Sequence, residues 1–204
     1  MIQYFKRIAS HTLIYGIGDV AVKAIGFLLI PLYTRYLTPD DYGIWSLVHT
    51  FQMILIIVFS LGFNSAVFKV YHQTENEHEK DCVVSTALIF LILWGVPATG
   101  LLLYGAEFLS RMIFGSPDNA LYLRYIAGAV FLDLFRLIAL SLLRAREKPV
   151  SFSIINIIHF TLLVILNILN VAVRKQGVTG IVQSQLITSA VIAAGTGLIF
   201  LRRF

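Results

Sequence analysis

HTLIYGIGDVAVKAIGFLLIPLYTRYL, residues 11–37, is apolar over a length that would cross a lipid bilayer, yet it carries Asp19 and Lys23 near its middle. About 30 Å of hydrocarbon asks for roughly 20 helical residues, so the stretch reads as a membrane-spanning helix. A charge at mid-membrane costs at least about 2.5 kcal/mol on insertion scales and usually marks a pathway rather than a lipid-facing surface. Residues three and four apart share a helix face, so Thr12, Gly16, Asp19, Lys23, Gly26 and Ile30 form one stripe of mostly small or polar positions. Asp19 lies one turn before Lys23, in the favourable order for an ion pair. The stripe is expected to face protein or water.

The rest of the chain repeats this pattern. Of its 204 residues, 58% are hydrophobic and 13% charged, and the mean hydropathy is +0.82; a soluble domain needs far more charge on its surface. Six apolar runs, at about 12–36, 44–68, 83–104, 121–143, 150–173 and 178–201, leave only short connections. In hydrocarbon every backbone polar group must be paired within the protein, and these runs are too long for barrel strands. The expected fold is an all-α integral membrane protein, a single six-helix transmembrane lobe over residues 1–204. The basic start MIQYFKRIAS reads as an interfacial lead-in rather than a cleaved signal.

The sequence pI of about 9.4 does not imply a nucleic-acid partner, because the basic residues lie singly and in pairs between apolar runs. They set topology instead. An inside N-terminus puts Lys6, Arg7, Lys69, Lys80, Arg144, Arg146, Lys148, Arg202 and Arg203 in the cytoplasm, against Arg35, Arg111, Arg124, Arg174 and Lys175 outside. That excess favours two cytoplasmic termini in a multi-pass membrane protein. Tyr33, Tyr36, Tyr42 and Trp45 cluster at the first outside turn, as an aromatic belt at the headgroups would. Pro31 and Pro97 fall inside spans and mark expected kinks.

No catalytic motif, metal site or cofactor is expected. HQTENEHEKD, residues 72–81, has histidines and acids without zinc-type spacing and reads as a solvated inner loop. GIGDVA, residues 16–21, matches a dinucleotide fingerprint formally, but it lies within a membrane span and lacks the preceding strand. Cys82, the single cysteine, excludes an internal disulfide.

Charge returns in the fourth span as Asp133 and Arg136, three apart, and the fifth span carries Asn156, His159, Asn167 and Asn170. Gln52, Gln183 and Gln185 add polarity elsewhere. Several helices are therefore expected to build a polar interior, with the amides also able to join helices by hydrogen bonds and His159 read as a satisfied packing residue.

LLIPLYTRYLTPDDYGIWSL, residues 28–47, closely resembles the first helix-turn-helix of bacterial polysaccharide and O-antigen flippases. FSLGFNSAVFKVY, residues 59–71, and LLRAREKPVSFSIINI, residues 142–157, resemble two further stretches of that family. The resemblance implies the N-terminal lobe of a two-lobed flippase in the superfamily that includes multidrug extruders, working by alternating access on polyprenyl-pyrophosphate-linked oligosaccharide. It implies a substrate cavity in which Lys23, Arg35 and Arg136 hold the phosphates while Asn156, Asn167 and Asn170 bind sugar. Asp19 and Asp133 would either hold these cations in place or titrate with a coupling ion. Arg35 is shared between a substrate role and capping the turn with Asp40 or Asp41. The implied partners are the lipid-linked oligosaccharide, membrane lipids, and a second lobe or a second copy of this chain; an organic-cation extruder and an inert half-transporter are the alternatives, and an enzyme is not expected.

Overall fold

The computed structural model describes residue 27, residues 29–74 and residues 76–201. Asp19 and Lys23 lie outside the described residues, as does most of the first expected span. The described residues form seven α-helices: α1 (residues 29–36), α2 (Pro39–Ser60), α3 (Phe63–Gln73), α4 (Glu77–Phe114), α5 (Ala120–Ala145), α6 (Pro149–Asn167) and α7 (Gly177–Leu201). Among the described residues five stretches are long and apolar enough to cross a membrane: Pro39–Tyr71, Cys82–Phe114, Pro117–Ala145, Pro149–Val173 and Gly177–Gly197. The protein is an all-α membrane bundle.

The centre of the bundle is α5. In its most apolar stretch 61% of residues are buried, against 17% in that of α4, so α5 is enclosed by its neighbours while α4 turns a broad apolar face outward. The enclosure follows from the sequence. Ile126, Val130, Leu134 and Ile138 recur every four residues and meet Val48, Leu55 and Phe59 of α2, Leu91 of α4 and Val182 of α7 in one core. Ala127, Gly128 and Ala129 keep the same helix slim enough for close approach; a Cβ on Gly128 would stand 3.3 Å from Leu186. On α4, Leu93, Leu101 and Tyr104 stand out from the surface, which suits lipid.

Several boundaries differ from the sequence reading, each for a local reason. The second span breaks at Leu61 and Gly62, both in the left-handed region with φ of 44° and 72°, so its end becomes the separate α3. The expected loop at 72–81 is mostly helix, since α3 runs to Gln73 and α4 starts at Glu77; polar composition signals solvent, not irregular backbone. At the other end α4 continues past the expected boundary at 104 to Phe114, which makes it 38 residues long, and it runs unbroken through Pro97. At about 1.5 Å per residue that length exceeds the thickness of the hydrocarbon, so part of α4 extends beyond it.

The turn between α1 and α2 is built by a capping box. Thr38 Oγ1 accepts from the Asp41 backbone N–H at 3.2 Å, while Asp41 Oδ2 accepts from the Thr38 N–H at 3.2 Å. Pro39 follows at the first helical position, where its missing N–H costs nothing. Asp41 is thereby used within the turn. The Arg35 guanidinium instead lies 6.0 Å from the centre of the Tyr36 ring.

Candidate functional site

The polar residues of α5 and α6 meet inside the bundle. Arg136 donates from Nε to Asp133 Oδ1 at 2.7 Å and from Nη2 to Oδ2 at 2.8 Å, a two-pronged ion pair on one face of α5. Its Nη1 donates to Asn156 Oδ1 of α6 at 3.1 Å. The side chains of Asp133 and Arg136 are only 8% and 11% exposed. Such a pair loses hydration on burial and holds only because geometry and hydrogen bonds compensate it. The spacing of three residues places both side chains on one face of α5, but which charges meet did not follow from it, and neither did the third partner across the helix interface.

Asp133 and Arg136 line a cavity of about 490 Å3 between α1, α2, α5, α6 and α7. Its other polar lining comes from Tyr33, His49, Gln52, His159, Asn167 and Gln185, and Tyr42 and Trp45 add aromatic faces. Volume and lining are those of a small-molecule site, apolar and aromatic walls with a few convergent polar groups.

The expected site residues divide. Asp133, Arg136 and Asn167 line the cavity, and Asn156 stands behind it on Arg136. Asn170 is turned elsewhere. It donates to Ser184 of α7 at 3.0 Å and accepts from Arg174 at 3.2 Å. The cause is a change of helix type after Asn167: Ile168–Val173 is a π-helical segment, which adds a residue to the turn and rotates the residues beyond it. Gly180 sits against this segment so closely that a Cβ there would meet Asn170 backbone atoms at 3.1 Å. Arg35 is exposed and lies at the edge of a separate, largely apolar groove of about 410 Å3 formed by α1 with Val164 and Ile168, and Leu29 borders both spaces.

Two residues differ from their sequence reading. Tyr33, expected in the headgroup belt, is buried and donates to Asn167 Oδ1 at 3.0 Å, with its ring edge-on to Trp45 at 5.9 Å. His159, expected to be satisfied, has no hydrogen-bond partner on either ring nitrogen; Nε2 lies 3.7 Å from Asp133 Oδ1, too long for one. His49 joins the lining without having been expected there. The signal was present in the run Trp45, His49, Gln52 and Ile56, spaced by four, three and four along one face of α2.

The bundle thus turns an ion pair and several amides into a cavity between its helices. The chain belongs to the polysaccharide biosynthesis protein family, which it matches over residues 8–204. A protein of the Lsg locus of Haemophilus influenzae is 28% identical over 89 residues, which are 44% of this chain and 22% of that protein. Among solved structures, an outward-facing multidrug resistance transporter of the MATE family, in the MOP superfamily, superposes with a TM-score of 0.72 at 18% identity over 97% of this chain. At that identity the likeness is one of fold. The chain spans 44% of the length of that transporter.

Proposed function

We propose that this chain forms one lobe of a flippase that carries polyprenyl-pyrophosphate-linked oligosaccharide across the bacterial cytoplasmic membrane by alternating access. The observation that carries the reading is the buried Asp133–Arg136–Asn156 assembly at the wall of a cavity between apolar helices, since charged groups within membrane spans mostly serve a polar pathway. In this reading both termini are cytoplasmic, and a second lobe or a second copy of the chain closes the pathway.

The cargo has three chemistries and the lobe offers a place for each. Amides and aromatic rings of the cavity suit sugar hydroxyls and ring faces; the groove beside Arg35 suits a prenyl chain with its anionic head near the guanidinium; Lys23 is a second cation for the pyrophosphate. Arg136 already has its charge met by Asp133 and fixes the wall. Asp19 and Asp133 hold cations in place or respond to a coupling ion.

The test is reconstitution into vesicles with a fluorescent polyprenyl-pyrophosphate oligosaccharide, followed by an impermeant quencher. Protein-dependent exchange of the lipid between leaflets, lost in Lys23→Ala, is the expected result. Efflux of an organic dye with no lipid exchange would replace this reading with the multidrug one.

A further inference from the structure

The cavity contains a polar group that the fold leaves unmet. Buried side chains without a hydrogen-bond partner among the described residues include Thr99, Ser153, Thr188, Ser189 and His159, and of these His159 lines the cavity. It is 2% exposed, and neither ring nitrogen has a hydrogen-bond partner, Nε2 standing 3.7 Å from Asp133 Oδ1. Buried polar groups are nearly always satisfied, so an unsatisfied pair at a cavity wall marks where a ligand atom belongs. The ring of Phe160 stands edge-on to the imidazole at 5.1 Å and helps to hold its orientation.

The chemistry of that ligand follows from its surroundings. Besides the imidazoles of His49 and His159, the acidic and basic side chains lining the cavity among the described residues are Asp133 and Arg136, which are paired with each other. A phosphate beside His159 would face the Asp133 carboxylate 3.7 Å from Nε2 with no uncompensated cation in the described wall. An imidazole presents a donor and an acceptor, which is the complement of a hydroxyl. Tyr42 and Trp45 add apolar ring faces of the kind that pack on the C–H face of a pyranose.

We infer that His159 is a specificity-determining residue that hydrogen-bonds a hydroxyl of the sugar part of the cargo, in a subsite whose paired charges leave no free cation to hold the pyrophosphate. The inference rests on the flippase reading and deepens it. It divides the cargo between two places, with sugar at α5 and α6 and the anionic head outside this wall.

The experiment measures equilibrium binding of the full chain in phosphatidylcholine nanodiscs to two probes, bare polyprenyl pyrophosphate and the same lipid carrying one hexose. The unsubstituted chain is expected to prefer the hexose-bearing lipid by about 10-fold, the worth of roughly one good hydrogen bond. His159→Ala should bring the two affinities within about twofold by weakening only the hexose-bearing lipid, and His159→Gln, which keeps a donor and an acceptor, should recover part of the preference. Retained binding of bare lipid shows that the variant is folded. A preference that survives His159→Ala, or equal weakening of both lipids, overturns the subsite. Equal affinity of the unsubstituted chain for both lipids overturns the subsite and leaves the flippase reading standing; binding of neither lipid overturns both.

Discussion

Asp133 and Arg136 are joined by two hydrogen bonds of 2.7 and 2.8 Å while almost wholly buried, and Asn156 of α6 receives a third N–H of the same guanidinium. Removing one partner strands the other charge, which in buried pairs costs about 3–5 kcal/mol, whereas removing both charges costs much less. Asp133→Ala and Arg136→Ala should each lower the thermal unfolding midpoint, and Asp133→Asn with Arg136→Gln together should lose less than the sum of the corresponding single changes. Additive losses would show that the pair does not couple.

Tyr33 ties α1 to the end of α6 through its hydroxyl. Tyr33→Phe keeps the ring against Trp45 and deletes only the bond to Asn167 Oδ1, at a cost of about 1 kcal/mol. Asn167→Ala should cost more, because the bond from Nδ2 to the Leu163 carbonyl at 2.8 Å goes as well. Thermal unfolding of the two variants checks the order.

Gly180 and Gly100 are both helical and differ in what faces them. A Cβ at Gly180 would press on the Asn170 backbone at 3.1 Å, and backbone cannot swing aside, so Gly180→Ala should destabilise by about 1–3 kcal/mol. Nothing lies within 4 Å of a Cβ at Gly100. Gly100→Ala should be neutral or stabilise by up to about 1 kcal/mol through helix propensity. A stable Gly180→Ala would mean that α7 does not pack on the π segment so tightly.

Cys82 is exposed where α4 enters its apolar stretch. With cytoplasmic termini that position faces the cell interior. A membrane-impermeant maleimide should label inverted vesicles and spare right-side-out ones; the opposite pattern would invert the topology.

The helical bundle was legible because apolar runs of span length have few other solutions, and the shared face of Asp133 and Arg136 because three residues return a helix to the same side; that these two charges meet each other was not. The features that escaped depend on rotation and on single residues. Hydropathy cannot show that Leu61 adopts a left-handed conformation, or that the turn after Asn167 widens into a π segment and carries Asn170 away from the cavity. Tyr33 escaped because a tyrosine near a span end suits the headgroups and a buried amide equally well. His159 looked satisfied because a sequence shows which polar neighbours are near in the chain and not the 3.7 Å that separates the imidazole from Asp133.

The most direct measurement is photo-crosslinking in membranes with a polyprenyl-pyrophosphate oligosaccharide that carries a diazirine on its sugar. Adducts on cavity residues such as Trp45, His49 and Phe160, competed away by unlabelled lipid-linked oligosaccharide, are the expected result. Labelling confined to the outward apolar face of α4, at Leu93, Leu101 or Tyr104, would contradict a sugar pathway through this lobe.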